Sequence, residues 1–497
     1  MSSPIDTALL IGAAVLLVAV IAVRLSARVG LPSLVAYLLI GMAIGESGLG
    51  IQFENADLTR VLGFCALVLI IAEGGLTTRW SVVRPVMPAA AFLATVGVLV
   101  SAAIVGVLLH LVLAMSWELA FLYGAVLSST DAAAVFSTLR RLQIKPRLTA
   151  VLEAESGMND APAVILVVAL SMLARGEHLG PWWQQVLLMI FELVAGAVIG
   201  LLVGLVGGYA LRRFALPSAG LYPLAAVGLT VFAYALGTTA HASGFLAVYV
   251  AGVVLGNSKI PHRQAVLGFA DGVAWLGQIG LFVLLGLLAS PLRLPAAILP
   301  ALLVGIILVL LARPISVALS VTWFKFGWRD QAFLSWAGLR GAVPIVLATI
   351  PLSLDVPGSQ RLFDVVFVLV VVYTVLQGGT IAPAARWLRV TSPYQPTELL
   401  VETAPLDRMQ ADLLELSIHA GSQMAGVYVD ELRLPPGAVV TLVLRDGVGF
   451  VPDPRTRLRA GDNLLIVATA DVRDVAERRL RAISRRGRLA RWLGDHE

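Results

Sequence analysis

Up to residue 390 the chain is a succession of apolar runs broken by short arginine-bearing loops; beyond it the pattern shifts to short alternating segments. A membrane-crossing helix needs about 20 mostly apolar residues, or roughly 17–25 with tilt. Thirteen stretches meet or approach that length: 7–25, 31–48, 61–77, 85–114, 118–138, 150–174, 183–211, 221–239, 243–257, 267–289, 296–323, 331–351 and 363–387. The pattern predicts a polytopic α-helical membrane protein of thirteen transmembrane helices. The first run follows Met-Ser-Ser-Pro-Ile-Asp, with neither a basic start nor a small-residue cleavage pattern, and reads as a membrane helix rather than a leader.

Loop charge tests the count, because Lys and Arg accumulate on the cytoplasmic side. Alternate loops hold Arg24 and Arg28; Arg79 and Arg84; Arg140, Arg141, Lys145 and Arg147; Arg212 and Arg213; Lys259 and Arg263; Lys325 and Arg329; Arg386 and Arg389, sixteen in all. The opposite loops hold four: Arg60, Arg175, Arg293 and Arg361. Adding or dropping one central span would destroy this bias. The expected topology places the N-terminus outside and the C-terminus in the cytoplasm of a bacterial plasma (inner) membrane.

From residue 391 onward there are 14 Arg against 15 Asp or Glu, a balance suited to water. Leu413–Ile418, Val439–Leu444 and Asn463–Val467 read as strands, with helical stretches near Met424–Leu432 and Asp471–Ile483. Turn chemistry stands at Pro435-Pro436-Gly437, Arg445-Asp446-Gly447 and Ala460-Gly461-Asp462. The expected organisation is a membrane domain over 1–390, a linker over 391–404, a small α+β cytoplasmic domain over 405–483 and a basic tail over 484–497. The tail reads as solvated, with contact to anionic lipid as the alternative.

Composition acts mainly by exclusion. With 58% hydrophobic and 13% charged residues, against about 25% charged in soluble domains, the chain is neither a soluble enzyme nor a nucleic-acid binder. The single cysteine, Cys65, builds no disulfide framework or thiolate metal site. No nucleophile–His–acid arrangement or phosphate loop supports an enzyme, and no cofactor is expected.

Ionisable groups inside spans are costly unless paired or hydrated, so each marks a candidate pathway. Three fall within Glu153-Ala-Glu155-Ser156-Gly-Met-Asn159-Asp160. On a helix Ser156 and Asp160 share a face, and Glu155 and Asn159 form the adjacent pair. A hydroxyl and a carboxylate one turn apart offer hard oxygen ligands to a small monovalent cation. The same carboxylate can take a proton, so Asp160 holds the minimum chemistry for exchange. A polar helix–helix contact is the plainer alternative.

Ser128-Ser129-Thr130-Asp131 and Gly338-Leu339-Arg340-Gly341-Ala-Val-Pro344 each interrupt a span. They occupy matching places in two triplets of spans, which points to inverted repeats with a site at the midplane. Asp131 and Arg340 are placed to neutralise the half-helix ends there. Arg313, inside the eleventh span, needs a facing carboxylate, with Glu155 the first choice; snorkelling to a helix end is the alternative.

With Ala72-Glu73-Gly74-Gly75-Leu76, Gly244-Phe245-Leu246-Ala247-Val248-Tyr249 and Gln377-Gly378-Gly379-Thr380 added, the motifs of the first 390 residues resemble cation:proton antiporter family 1, the sodium/proton exchanger-like group. The resemblance implies a homodimer in which a mobile core carries one ion by an elevator motion. It implies cation and proton competing at Asp160, helped by Ser156, Thr130 and, through water, Glu73. It also implies a Glu155–Arg313 pair and, from Asn159 in place of a second Asp, one-for-one electroneutral exchange. The tail, with Arg457-Leu-Arg459-Ala-Gly-Asp-Asn-Leu-Leu465, is similar to the C-terminal half of the regulator-of-potassium-conductance (RCK) module. It lacks any Gly-x-Gly-x-x-Gly, so the nucleotide-binding half of that module is absent.

The resulting expectation is a K+/H+ antiporter, with Na+ possible, regulated by its cytoplasmic domain. The candidate effectors are protons, a nucleotide or, as the resemblance implies, a cyclic dinucleotide; Arg455, Arg457 and Arg459 are the candidates to receive a phosphate, with an exposed solvated strand as the plainer alternative. The rival readings are a ligand-gated cation channel, which wants a selectivity loop not found here, and a non-transporting membrane sensor or scaffold.

Overall fold

In hydrocarbon every backbone N–H and C=O must find a partner within its own segment, so apolar runs of this length become helices. The computed structural model describes residues 4–29, 33–46, 50, 55–131, 144–391, 402–406, 411–418, 422–445, 447–469 and 471–486. They fall into two units, Met1–Thr391 and Ser392–Glu497. In the first unit the helices are α1 Pro4–Val29, α2 Ser33–Ile44, α3 Ala56–Thr77, α4 Trp80–Leu113, α5 Trp117–Val126, α6 Pro146–Ala174 and α7 Trp182–Arg213. There follow α8 Leu221–Thr239, α9 Gly244–Gly256, α10 Arg263–Leu288, α11 Leu294–Phe324, α12 Trp328–Ala337, α13 Ala342–Ser353 and α14 Ser359–Trp387.

Each apolar stretch coincides with a helix, except that 331–351 divides into α12 and α13 and the far end of 118–138 lies outside the described residues. Among the described residues eight helices are long and apolar enough to cross a membrane, nine if the bent pair α12–α13 is one span. α2, α5 and α9 are apolar but shorter, as is the apolar segment Leu10–Arg24 of α1. Among the described residues, length and composition therefore support eight or nine of the thirteen expected crossings. Side-chain caps fix several starts: Asn55 accepts the Leu58 N–H at 2.8 Å, and Ser116 and Ser243 cap α5 and α9 in the same way.

Lipid tails are as apolar as leucine, so helices associate in a membrane by close packing rather than by escape from water. α9 packs against α3, α7 and α8. Gly196, Gly200 and Gly204 recur every four residues on α7; a Cβ at Gly200 would lie 2.4 Å from the Ala247 carbonyl oxygen. The opposite face of α7 carries exposed Phe191, Val198 and Leu202, as a bilayer-facing surface does. α11 contains a π-turn over Leu308–Ala312, just before Arg313 and Pro314. Proline lacks an N–H and crowds the carbonyl four residues back, and the wider turn absorbs both effects. At the other end of the unit the chain returns to the foot of α6, where Lys145 N–H donates to the Val390 carbonyl at 3.1 Å.

In the second unit five strands, β1 Glu402–Leu406, β2 Ala411–Ser417, β3 Ala438–Arg445, β4 Val448–Phe450 and β5 Asn463–Thr469, form an antiparallel sheet of order β1-β2-β5-β3-β4. Register puts Leu414 opposite Ile466 and Leu416 opposite Leu464. These inward residues pack on Ala476, Leu480 and Ile483 of α15, Arg473–Arg486. β2, β3, β5 and α15 answer to predicted segments. β1, which starts inside the segment read as linker, and the three-residue β4 were not predicted. The expected helix at Met424–Leu432 is corrected: only Asp430–Leu432 is helical, as a 3-10 turn. Gly426 adopts φ +92°, and its N–H donates to the Leu458 carbonyl at 2.8 Å, which diverts the backbone from a helix. The basic tail beyond residue 486 lies outside the described residues.

One polar pair anchors the turn before β5. Arg445 donates to Asp462 from Nε at 2.8 Å and Nη2 at 2.7 Å, and the Arg459 N–H adds a bond at 2.7 Å. Burial works against the Asp462 charge, but Arg445 and Arg459 outweigh it and hold the carboxyl below the usual carboxylate range.

Candidate ion-binding site

Two interrupted helices meet in the first unit. α5 ends at Val126 and the chain runs on through Ser128, Ser129, Thr130 and Asp131; α12 and α13 are bent by 55° across residues 338–341. The two breaks cross, with Asp131 N–H donating to the Leu339 carbonyl at 2.9 Å. Each break leaves helix ends without partners, positive at an N-terminus and negative at a C-terminus. Asp131 Oδ2 accepts the Ala342 N–H at 3.3 Å, at the start of α13. Arg340 donates from Nε to the Leu127 carbonyl at 3.1 Å and from Nη1 to the Gly338 carbonyl, serving the ends of α5 and α12. The carboxylate thus meets a helix N-terminus and the guanidinium two helix C-termini. A Cβ on Gly341 would fall 1.7 Å from Asp131 Oδ2, so the cap requires glycine there.

α6 passes this crossing with two chemically different faces. On the inner face Arg313 donates to both oxygens of Glu155, at 2.6 and 2.8 Å, with the side chains only 3% and 1% exposed. Thr130 Oγ1 accepts from Asn159 Nδ2 at 2.6 Å and lies 3.4 Å from Glu155 Oε1. On the other face Ser129 donates to Asp160 Oδ1 at 2.6 Å and Ser156 to the Thr130 carbonyl at 2.8 Å. Glu153, Ser156 and Asp160 on this face line a cavity of about 670 Å³, together with Glu73, Asp131 and Asp271. The cavity extends along α6 from Asp160 to Thr149, in the first turn, and along α3 from Leu67 to Thr77.

The crossing therefore brings the sequence candidates together in two groups. Asp160, Ser156, Glu73 and Asp131 border the cavity; Thr130, Asn159, Glu155 and Arg313 form a buried network behind it. Ser129 was not among the candidates, although its hydroxyl is the one that meets Asp160. In a non-helical stretch neighbouring side chains point to opposite sides, so only one of Ser129 and Thr130 can face Asp160. The run of hydroxyls was visible in the sequence, but not which member turns that way.

The sodium/hydrogen exchanger transmembrane model matches residues 13–387, and a TrkA-C domain model matches residues 413–481. The chain belongs to the sodium/hydrogen exchanger family. Among similar proteins, the K(+)/H(+) antiporter NhaP of Alkalimonas amylolytica is 37% identical over 95% of this chain and 83% of its own. The K(+)/H(+) antiporter NhaP2 of Shewanella oneidensis is 34% identical over 99% of this chain and 86% of its own. The fold is like that of the sodium proton antiporter MjNhaP1 from Methanocaldococcus jannaschii, with a TM-score of 0.67 at 22% identity, over 77% of this chain and 99% of that one.

In this exchanger the carboxylates divide by what faces them. Glu155 is neutralised by Arg313 and Asp131 meets a helix N-terminus, whereas Asp160 meets a hydroxyl and the cavity. In the TrkA-C unit, Arg455, Arg457 and Arg459 stand at alternate exposed positions, with Leu458 buried between them. Their backbone is held in place: Arg457 forms a bridge with Tyr428, and its carbonyl accepts from Arg445 Nη2 at 2.9 Å.

Proposed function

We propose that the protein is an electroneutral K+/H+ antiporter in which Asp160 binds the cation and the proton in turn. The observation that carries this reading is the asymmetry of α6. Glu155 is matched by Arg313, Asn159 is neutral, and Asp160 is the carboxylate of that helix that meets the broken-helix crossing where the cavity reaches it, two turns beyond Glu153. One carboxylate that holds either one cation or one proton moves no net charge per cycle. Ser156, the Ser129 hydroxyl, the Thr130 carbonyl and water held by Glu73 complete the cation's oxygen shell on this reading, and Asn159 fixes Thr130 through its hydroxyl. Potassium is favoured because the relatives matched over both units carry K(+)/H(+) names. The Na(+)/H(+) antiporter NhaH of Halobacillus aidingensis matches at 29% over only 72% of this chain.

The wider reading is thirteen crossings in inverted repeats, a homodimer, and elevator-type alternating access with the N-terminus outside. In that topology the Thr149 end of the cavity faces the cytoplasm. The TrkA-C unit would bias the carrier in response to a nucleotide or cyclic dinucleotide bound near Arg455, Arg457 and Arg459. The test is exchange in proteoliposomes with K+, Na+ and Li+ in turn, with the membrane potential clamped at several values. Saturable collapse of an imposed pH gradient, best with K+ and indifferent to potential, is the expected result. Cation flux without proton counterflow would favour a channel.

A further inference from the structure

The cavity holds a second set of oxygens that the Asp160 chemistry does not use. Glu153 stands two turns before Asp160 on the same face of α6, about 10 Å away along the axis. Facing it, Thr78 Oγ1 lies 3.4 Å from Glu153 Oε1. The Thr78 hydroxyl has one proton, which it also gives at 2.6 Å to the Gly74 carbonyl. Shared with the Gly74 carbonyl, that proton reaches Glu153 only as the longer of two bonds, so the carboxylate keeps lone pairs facing the cavity that a proton or a cation can take.

Tyr249 supplies the second, independent observation. Its side chain is 3% exposed, its ring borders the cavity, and its hydroxyl lies near Thr78 and Glu153 without a hydrogen bond of good geometry to either. A buried hydroxyl in that condition is costly in an otherwise satisfied site, which points to a further partner. Position 157 on α6, between the two carboxylates, is a glycine because the Tyr249 ring rests on it; a Cβ there would lie 2.2 Å from Cε2. The ring thus borders the cavity at the level of Gly157, between Glu153 and Asp160 along α6.

We infer that Glu153, Thr78 and Tyr249 form a staging site for a monovalent cation, in competition with a proton, on the way to Asp160. The proposal rests on Asp160 being the transport carboxylate. The charged groups facing Glu153 are Arg79 beside it and Glu73, Asp271 and Asp160 around the cavity. Arg79 keeps the site weak, so it loads without trapping, while the carboxylates raise the local cation concentration.

The test uses the full chain in proteoliposomes, with exchange measured against K+ concentration. Glu153→Gln is expected to raise the K+ concentration for half-maximal exchange by about three- to tenfold, the effect of one carboxylate about 10 Å away in a poorly screened site. The maximal rate is retained and the pH profile shifts. Tyr249→Phe shifts half-saturation in the same direction by a smaller factor. Rubidium binding to Asp160→Asn protein is expected to leave a weak residual site that a further Glu153→Gln removes. Unchanged half-saturation in both variants, or no residual rubidium binding, overturns the proposal. Complete loss of exchange in folded Glu153→Gln also overturns it, by placing Glu153 in the transport site itself. If Glu153→Gln does not fold, Tyr249→Phe decides. Exchange that survives in Asp160→Asn is a different failure, that of the transport assignment.

Discussion

Glu155–Arg313 in the membrane unit and Asp462–Arg445 in the TrkA-C unit are both forked arginine–carboxylate pairs, yet their surroundings differ. The first is closed off on both sides, with exposures of 3% and 1%, and the nearby groups are other polar side chains of a helix crossing. The second has one partner at the surface, Arg445 at 22%, and rests on a hydrophobic core that would exist without it. A buried pair is weak evidence of net stability, because desolvation offsets much of the attraction, but losing one partner strands a charge. The membrane pair neutralises Glu155, so that of the two carboxylates at the crossing on α6 Asp160 is the one left to cycle. The sheet pair pins one turn of a domain whose stability comes from Leu414, Leu416, Leu464 and Ile466.

The largest effect should come from the carboxylate that the membrane pair leaves unmatched. Asp160→Asn keeps shape and can still accept from Ser129, but cannot cycle a proton, so exchange in vesicles should fall to background with the protein folded. Wild-type turnover would move the transport site elsewhere.

Breaking the pair itself comes next. Arg313→Ala strands Glu155 at a cost of about 3–5 kcal/mol, to be read as lost expression and a lower melting temperature in detergent. Glu155→Ala/Arg313→Ala together should recover part of the loss; a double variant no better than the worse single would deny the coupling.

Ending the chain after Thr391 keeps the Lys145–Val390 tie and all of the ion site, so exchange should persist. What should change is its dependence on pH or effector, by about 5–150-fold for a coupling of about 1–3 kcal/mol. Loss of transport from a folded truncated chain would make the TrkA-C unit part of the carrier.

The smallest effect belongs to the sheet pair. Arg445→Ala should cost about 1–2 kcal/mol, between an exposed ion pair and a charge-assisted hydrogen bond. Because the folded Asp462 pKa is depressed, its contribution is present above the unfolded value, near 3.9, and fades as pH falls through the folded value. Wild type and variant should therefore differ in proteolysis of this unit at neutral pH and converge well below pH 4.

Much of this was legible in the sequence because each signal is local. Apolar runs gave the helices, Gly338, Gly341 and Pro344 marked the second break, and the Glu155–Asp160 spacing placed Asp160 and Ser156 on one face. The Glu155–Arg313 pair could be anticipated from the cost of an unpaired guanidinium; in the fold Arg313 donates to both Glu155 oxygens. The helix expected at Met424–Leu432 failed because Gly426 pairs with Leu458, a contact 32 residues away that no local propensity records.

By itself, then, the sequence determined that this chain is a helical membrane protein with a water-soluble α+β appendage, where its spans break, and which carboxylates lie within them. These follow from hydropathy, helix periodicity and backbone chemistry, all of which act over a few residues. Tertiary structure alone decided that Ser129 rather than Thr130 meets Asp160, that Arg340 serves the ends of two half-helices, and that Tyr249 rests on Gly157 between two carboxylates. Those outcomes depend on the direction in which a non-helical backbone turns its side chains and on which helices approach within van der Waals contact. Both are set by packing between segments more than 25 residues apart in the chain.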